Sequence, residues 1–498
     1  MNRTGMVLAA VATLAATAGW AVPRVEIAVD PTAEIGAIKP MNAVNNGPSV
    51  GKPKGDQVQS NARAYAAARF PYARLHDSIS ACPGGAHCVD ITAVFPDFDA
   101  DENDPKSYDF VFTDAYLKAI VASGTKVFFR LGQTIEHGPK KYGVMPPKDF
   151  AKWARICEHV IRHYNEGWAD GFRMGIEYWE IWNEPDIDFG RQKPDGRYAF
   201  DLDDIPEGPR CWGGSANQFF DFFVTAATHL KKAFPALRIG GPAMCGGRNR
   251  RWIEPFLDRL QKDKVPLDFF SWHSYGTNPD GAAACARYVR ETLDRHGYDR
   301  TESILDEWNY VADFGGDFVS TLRAESGDRN LVGAAYCAGM LNAMQNEPVD
   351  MLMYYDARPR AAMNGLFESP TLWPMKAYYA FYSWAKLVDL GRQVKATVSG
   401  ANAVRKGYRF PPIAATAAKG EDGSVAVFVS RSEGDLNVTV PVVVRLAVKD
   451  RTLAGAFAHV TDDRCQHTEV PLVAEPDGSA TLVLQARSFA LVELRAAR

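Results

Sequence analysis

"YWEIWNEPD", Tyr178 to Asp186, is an apolar stretch that runs straight into Asn183-Glu184-Pro185. Tyr178, Trp179 and Trp182 are material for a buried strand, yet Glu180 and Glu184 sit among them. An unpaired buried carboxylate is costly. Either both acids are paired, or one stands where the strand opens into a loop and is free to do chemistry. The elements on either side decide between these readings.

Those elements alternate. Short apolar runs predict strands at 41–45, 72–77, 126–132, 176–184, 237–243, 267–276, 303–309 and 350–356. Between them lie segments of helical periodicity, among them "DFAKWARICEHVIRHYNEG" (149–167) and "ANQFFDFFVTAATHLKKAF" (216–234), the second with Ser215 as its N-cap. The last such segment, "PMKAYYAFYSWAKLVDLG", stops on Gly391. Eight strand–helix units are the count for a (β/α)8 barrel. An open doubly wound sheet is the rival. Its first loop is glycine-rich, and "NNGPSVGKPKGD" matches neither phosphate-binding pattern.

After Gly391 the texture changes. "SVAVFVS", "LNVTVPVVVRLAV" and "ATLVLQARSFALVELR" alternate with Gly, Asp and Pro turns, which predicts an antiparallel β-sandwich over 391–498. The barrel is then expected over 22–390, with 22–35 ("RVEIAVDP" and its flanks) a candidate extra strand of the β-domain. Residues 1–21 place one Arg before an Ala/Val/Leu-rich stretch and Ala16-Thr17-Ala18. This fits a secretory signal peptide, hence a periplasmic or secreted protein. An alanine-rich helix that stays on the protein is the alternative.

Composition narrows the partners. The chain has 498 residues, 46% hydrophobic and 23% charged, with a net charge of −4. That balance gives no basis for nucleic-acid binding, and no segment beyond the leader reads as membrane-spanning. The 11 Trp and 19 Tyr suit ring-stacking on sugars, but also a large core. Eight cysteines in so long a chain are not a disulfide scaffold. "CPGGAHC" (Cys82 to Cys88) is either a small disulfide loop or a chance spacing. His159 and His163, four apart on one predicted helix, have metal-pair spacing, but a solvated helix face is the expected reading. No metal or cofactor is implied. The oligomeric state is open, a homo-oligomer included.

In a (β/α)8 barrel the catalytic groups sit at the C-terminal ends of strands. Here the second strand ends in His76-Asp77, the fourth in Asn183-Glu184, the sixth in Trp272-His273-Ser274-Tyr275 and the seventh in Asp306-Glu307. Two carboxyls facing each other across the mouth are the machinery of glycoside hydrolysis, one protonated and one ionised. "WNEP" after strand four, "HSY" after strand six and "DEWN" after strand seven resemble a retaining glycosidase of clan A. Within the clan the chain resembles glycoside hydrolase family 39, the β-xylosidase and α-L-iduronidase family, over roughly residues 35–390.

The resemblance implies Glu184 as general acid/base, Glu307 as nucleophile and Asn183 as the partner of the sugar 2-hydroxyl. It makes His273 and Tyr275 lining residues that hold Glu307, and Arg74 the cation that keeps Glu307 ionised. His76 on the rim is a candidate substrate contact. Gln133, Glu136 and His137, in "RLGQTIEHG", are looser matches. Trp182, Trp272, Trp308, Tyr354 and Tyr355 are candidate sugar platforms, with a share of them expected in the core. Glu180, inside its strand, is expected to pair with Arg74 or Arg130 rather than to react. The implied function is a retaining β-xylosidase acting on xylo-oligosaccharides, with α-L-arabinofuranosides also accepted by some relatives. Competing readings are an α-L-iduronidase-like enzyme, using Arg248, Arg250 or Arg251 for the substrate carboxylate, an endo-acting exopolysaccharide glycosidase, and a barrel that binds glycans without cleaving them.

Overall fold

The computed structural model describes residues 22–49, 53–54, 57–58, 60–77, 85, 87–192, 196–312, 329–359, 365–401, 404, 408–435 and 437–495. The leader-like segment 1–21 and Cys82 lie outside the described residues; Cys88 is disulfide-bonded. Eight parallel strands close a barrel in chain order: Ala43–Asn45, Tyr72–Arg74, Lys126–Leu131, Tyr178–Ile181, Arg238–Met244, Phe269–Gly276, Glu302–Tyr310 and Met351–Tyr354. They are called barrel strands one to eight below. Helices pack outside them. Phe150–Asn165 is capped by the Asp149 side chain, and Ala216–Ala233 by a Ser215–Gln218 capping box, so the first orphan N–H groups of each have acceptors. Among the described residues no helix is long and apolar enough to cross a membrane.

The second unit is a single ten-stranded sheet, mostly antiparallel, rather than two separately hydrogen-bonded sheets. Its fourth strand from one end is Arg24–Ala37, which runs antiparallel to Arg392–Gly400 and parallel to Val442–Val448. Alternation in that strand buries Val25, Ile27 and Val29. These pack with Val427, Leu446, Leu482 and Val492 from strands across the whole sheet, so the sheet folds over one core. Its other face, through Phe428, Phe489 and Leu491, joins the core of the barrel's helical layer.

The same alternation builds the barrel interior. Ala43, Phe128, Tyr178, Phe269, Ile304 and Met351 form an apolar plug at the N-terminal end. Two residues further along their strands, the same inward face carries Asn45, Arg130, Glu180, Ser271 and Asp306, while Arg74 follows Tyr72. The odd-numbered neighbours Trp179 and Ile181 turn outward into the helical layer. Glu180 therefore interrupts an apolar run because every second residue of strand four faces a polar chamber, not an oily core.

Strand seven departs from strict alternation. Its register against strand six pairs Leu305 with Trp272 and then Glu307 with His273, which leaves Asp306 as an inserted residue. Such a bulge re-aims the side chains beyond it. Asp306 and Glu307 both face inward, and Trp308 is thrown outward. Trp308 is fully buried among Tyr336, Tyr354 and Phe381. This corrects the sugar-platform expectation for Trp308 and Tyr354: both are 0% exposed core residues. Trp182 and Trp272 are likewise core, and of the five candidate aromatics only Tyr355 lines the mouth. The helix-face reading of the two histidines also needs correction. His163 is buried, stacked on Phe110 at 3.6 Å and bonded to Asp114 and the Trp168 carbonyl. It fills a gap between helices where the sequence pattern alone showed a polar position.

Trp308→Ala is expected to cost about 3–5 kcal/mol of stability, as for a large core truncation, read from denaturant unfolding. A loss well under 1 kcal/mol would return Trp308 to the candidate sugar platforms.

Candidate active site

The chain leaves strand four abruptly. Trp182 and Glu184 both adopt left-handed backbone, φ 77° and 45°, conformations that cost energy in non-glycine residues and cluster at functional sites. The turn is held from three sides. Trp182 Nε1 donates to the Cys211 carbonyl, the Glu184 amide donates to the Ala243 carbonyl, and the Trp182 backbone lies against Gly132. A Cβ at Gly132 would come within 2.9 Å of the Trp182 Cα, so a glycine is required there. Asp186 ties the next loop down, accepting from the Cys245 amide and the Asn249 side chain; burial pushes its carboxyl up to about 6. The result is that Glu184 stands past the strand end, in the wall of a cavity of about 1150 Å3 at the barrel mouth.

Glu307 enters the same cavity from strand seven. One carboxylate oxygen of Glu184, one of Glu307 and a ring nitrogen of His273 lie within 4.8 Å of one another. Retaining glycosidases hold their two carboxyls about 5–5.5 Å apart, inverting ones about 6.5–9.5 Å; one oxygen of each glutamate within 4.8 Å of the other is compatible with the shorter spacing. The trio also has the spread of a metal site. However, the Arg74 guanidinium and the His273 ring already supply positive charge to Glu307, so the donor set favours an acid pair.

The two glutamates have different surroundings. Glu307 Oε1 accepts from Arg74 Nη1 at 2.7 Å and lies 3.1 Å from His76 Nε2; its Oε2 accepts from the Tyr275 hydroxyl at 2.7 Å. Burial pushes this carboxyl up, but the charges of His273, His76 and Arg74 and the Tyr275 hydroxyl outweigh it and hold Glu307 below the ordinary glutamate value. Among the described residues the Glu184 carboxyl meets the His273 Nδ1 at 2.8 Å and the Cys211 thiol at 3.9 Å. His273 thus sits closer to Glu184 than to Glu307, which is 3.5 Å away. Burial pulls its ring pKa down, yet the Glu307 and Asp306 charges raise it well above the ordinary histidine value.

Arg74 is the floor of the site. Its guanidinium, fully buried, donates to Glu180, Asn45, Glu307 and Asn183. The expectation that Glu180 pairs internally resolves onto Arg74; Arg130 turns instead to Asp90 at 2.7 Å. Asn183 is 1% exposed and bonded to Arg74, beneath the cavity wall. Gln133 is also buried, engaged with the Thr92 hydroxyl, and does not line the cavity. Glu136 caps the Tyr142 and Gly143 amides, which leaves His137 as the one residue of that loop trio in the cavity wall.

Sequence reading missed a second cluster. The Tyr355 hydroxyl donates to Asp77 Oδ1, and Arg358 bridges Asp77 and Asp356. Tyr355 also meets His76 edge to face at 5.3 Å. These groups order the wall opposite Glu184. Asp77 after strand two and Tyr355 after strand eight are legible as rim residues, but their link through Arg358 is not, because Arg358 lies beyond any recognisable motif.

The sequence profile described as "Glycosyl hydrolases family 39" matches residues 59–303. Over those residues the chain is similar to this family. It is 26% identical over 236 residues to a β-xylosidase of Geobacillus stearothermophilus, a match that covers 45% of this chain and 40% of that one. A β-xylosidase of Caldicellulosiruptor saccharolyticus is 28% identical over 165 residues, 33% of this chain and 27% of its own. The chain therefore spans less than half the length of these relatives. A solved glucosidase of Croceicoccus marinus superposes with a TM-score of 0.71 at 20% identity, over 96% of this chain and all of that one. At that identity the superposition speaks for the fold alone, barrel and β-domain together.

Tyr275→Phe removes one of the groups that holds the Glu307 carboxyl down. The Glu307 titration, followed by carbon NMR of glutamate-labelled protein, is expected to move to higher pH. A group with a lowered folded pKa contributes stability above its unfolded value and loses it as pH falls. Acid unfolding of the variant is therefore expected to begin at higher pH than in the wild type; an unmoved titration would exclude the role of the hydroxyl.

Proposed function

We propose that this chain is a retaining β-xylosidase of family 39 that releases xylose from the non-reducing ends of xylo-oligosaccharides by double displacement. The observation that carries the reading is the approach of Glu184, His273 and Glu307 to within 4.8 Å of one another in the mouth cavity. Glu307, held as an anion, attacks the anomeric carbon while the bond to the leaving oxygen breaks. Glu184 gives that oxygen its proton. In the second step Glu184 takes a proton from water, the water oxygen bonds to the anomeric carbon and Glu307 leaves. Tyr275 and Arg74 keep Glu307 oriented throughout. The segment 1–21 is proposed as a leader that sends the enzyme to the periplasm or outside the cell, where xylan fragments are met.

Glu307→Ala is expected to lower kcat on 4-nitrophenyl β-xyloside by at least about 10^4-fold, with azide restoring turnover as the α-glycosyl azide. Glu184→Ala is expected to spare dinitrophenyl xyloside far more than unactivated xylobiose, because a good leaving group needs little protonation. Xylose as the sole early product from reduced xylo-oligosaccharides supports exo action; internal fragments would indicate the endo reading. No turnover of any aryl glycoside would sink the proposal.

One observation keeps a second reading in view. Arg248 lines the cavity, and among the described residues it has no ion pair with a carboxylate. Arg250 pairs with Glu254 and Arg251 stacks on Phe200, so neither is spare. An iduronide or other acidic glycoside would find its cation in Arg248. Arg248→Ala is expected to leave kcat/KM on neutral xylosides within about twofold. A uronide substrate whose turnover falls tenfold or more in the variant would instead favour the acidic reading.

A further inference from the structure

One pair of acids under the mouth plays no part in the reaction above. The single Nε–H of Arg74 faces two carboxyls at once, Glu180 Oε2 at 2.6 Å and Asp306 Oδ2 at 3.0 Å, and all three side chains are 0% exposed. Glu180 Oε1 and both oxygens of Asp306 receive no conventional hydrogen bond. Two carboxyls crowded onto one buried site cannot both ionise; one keeps a proton. The neighbours decide which. Asp306 also faces His273 Nε2 at 3.6 Å, whereas among the described residues Arg74 is the one cation paired with Glu180, and its neighbour Ser271 is neutral. Burial, opposed by Arg74 and reinforced by Asp306, pushes Glu180 up to about 8. Burial acts on Asp306 too, but Arg74 and His273 hold it below the ordinary aspartate value.

We propose that Glu180 is a positioning residue: a neutral carboxylic acid that donates a hydrogen bond to Asp306 and so keeps Arg74 and His273 aimed at the glutamates of the mouth. With Glu180 neutral, the two cations Arg74 and His273 balance the two anions Asp306 and Glu307. The other groups around Glu180 do not change this count. Ser271 on strand six is neutral, Arg130 on strand three is spent on Asp90, and Asn45 on strand one bonds Arg74. Ionising Glu180 adds a third negative charge, which draws Arg74 down and away from Glu307. The raised folded value also makes Glu180 a stabilising group below the ordinary glutamate range, and that contribution is lost as pH rises through about 8.

The kinetic test rests on the glycosidase reading; a spectroscopic one does not. Dinitrophenyl β-xyloside needs no acid assistance, so its kcat/KM is insensitive to Glu184. The wild type is expected to lose kcat/KM on this substrate about tenfold per pH unit above the Glu180 titration. Glu180→Leu, which cannot bridge Arg74 and Asp306, is expected to lower kcat at neutral pH about 100-fold or more. Glu180→Gln restores a permanent donor to Asp306 and an acceptor for Arg74. It is expected to recover most of that loss and to carry no alkaline fall in the same window. An alkaline limb identical in wild type and Glu180→Gln would overturn the proposal, as would a Glu180→Gln enzyme as slow as a correctly folded Glu180→Leu. Independently, the infrared difference between wild type and Glu180→Gln, in which the proton on Glu184 cancels, is expected to show a protonated-carboxyl band that disappears on raising the pH through about 8. Absence of that band from the difference overturns the proposal whatever the activity. If the band is present and no aryl glycoside turns over, the glycosidase reading fails and the proton on Glu180 stands.

Discussion

The guanidinium of Arg74 organises the barrel above its apolar plug. It has no exposure and takes four hydrogen-bonding partners from strands one, four and seven and from the turn after strand four. A charge so deep is tolerable only when its partners are fixed and its donors satisfied. The cost of desolvating Arg74 is offset by the carboxyls gathered on it, and that requirement fixes their positions in turn. Moving any one partner would leave a buried donor or a buried carboxylate unpaired, several kcal/mol away from the native arrangement. The site is thus rigid for an electrostatic reason rather than through tight apolar packing. Rigid placement is what a reaction needs when it depends on two oxygens held at a set separation.

Much of this was legible in the sequence, and the part that was not has a common cause. The eight strand–helix units, the β-domain after Gly391 and the Ser215 cap all follow from periodicity and capping chemistry, which are local. The mouth residues Glu184, His273, Tyr275 and Glu307 were found because each follows a strand end, and a barrel brings strand ends together whatever their separation along the chain. Trp308 was misplaced because a one-residue bulge in strand seven swaps which neighbours face in, and pairing register is not a property of a single strand; Tyr354 faces outward by ordinary alternation, since Met351 and Met353 take the inward positions of strand eight. Gln133 faced away for a similar reason: its loop satisfies Thr92 before it reaches the mouth. The Tyr355–Asp77–Arg358 cluster and the cavity position of Arg248 depend on loop paths, which carry no periodic signal.

Two unusual backbone features bring the paired glutamates to one level. On strand seven an inserted residue lets adjacent acids face the same side, so Asp306 can serve the floor while Glu307 serves the mouth. On strand four the chain turns through left-handed conformations at Trp182 and Glu184, which lifts Glu184 over the chamber that Glu180 occupies. Each strand therefore supplies one acid below and one above. The lower pair, Glu180 and Asp306, faces only buried protein groups; the upper pair faces the cavity.

That stacking gives the upper pair unlike surroundings, which is the basis of the roles proposed for them. Glu307 is surrounded by donors: a guanidinium, a hydroxyl and two ring nitrogens all approach its oxygens within 3.5 Å. Such a group is stabilised as an anion and is poorly placed to give up a proton. Among the described residues Glu184 has one ring nitrogen and a weakly polar thiol beside it and no ion pair with Arg74. A nucleophile and a proton carrier need opposite environments a few ångströms apart. The shared floor provides that difference by spending its positive charge on one side of the mouth only.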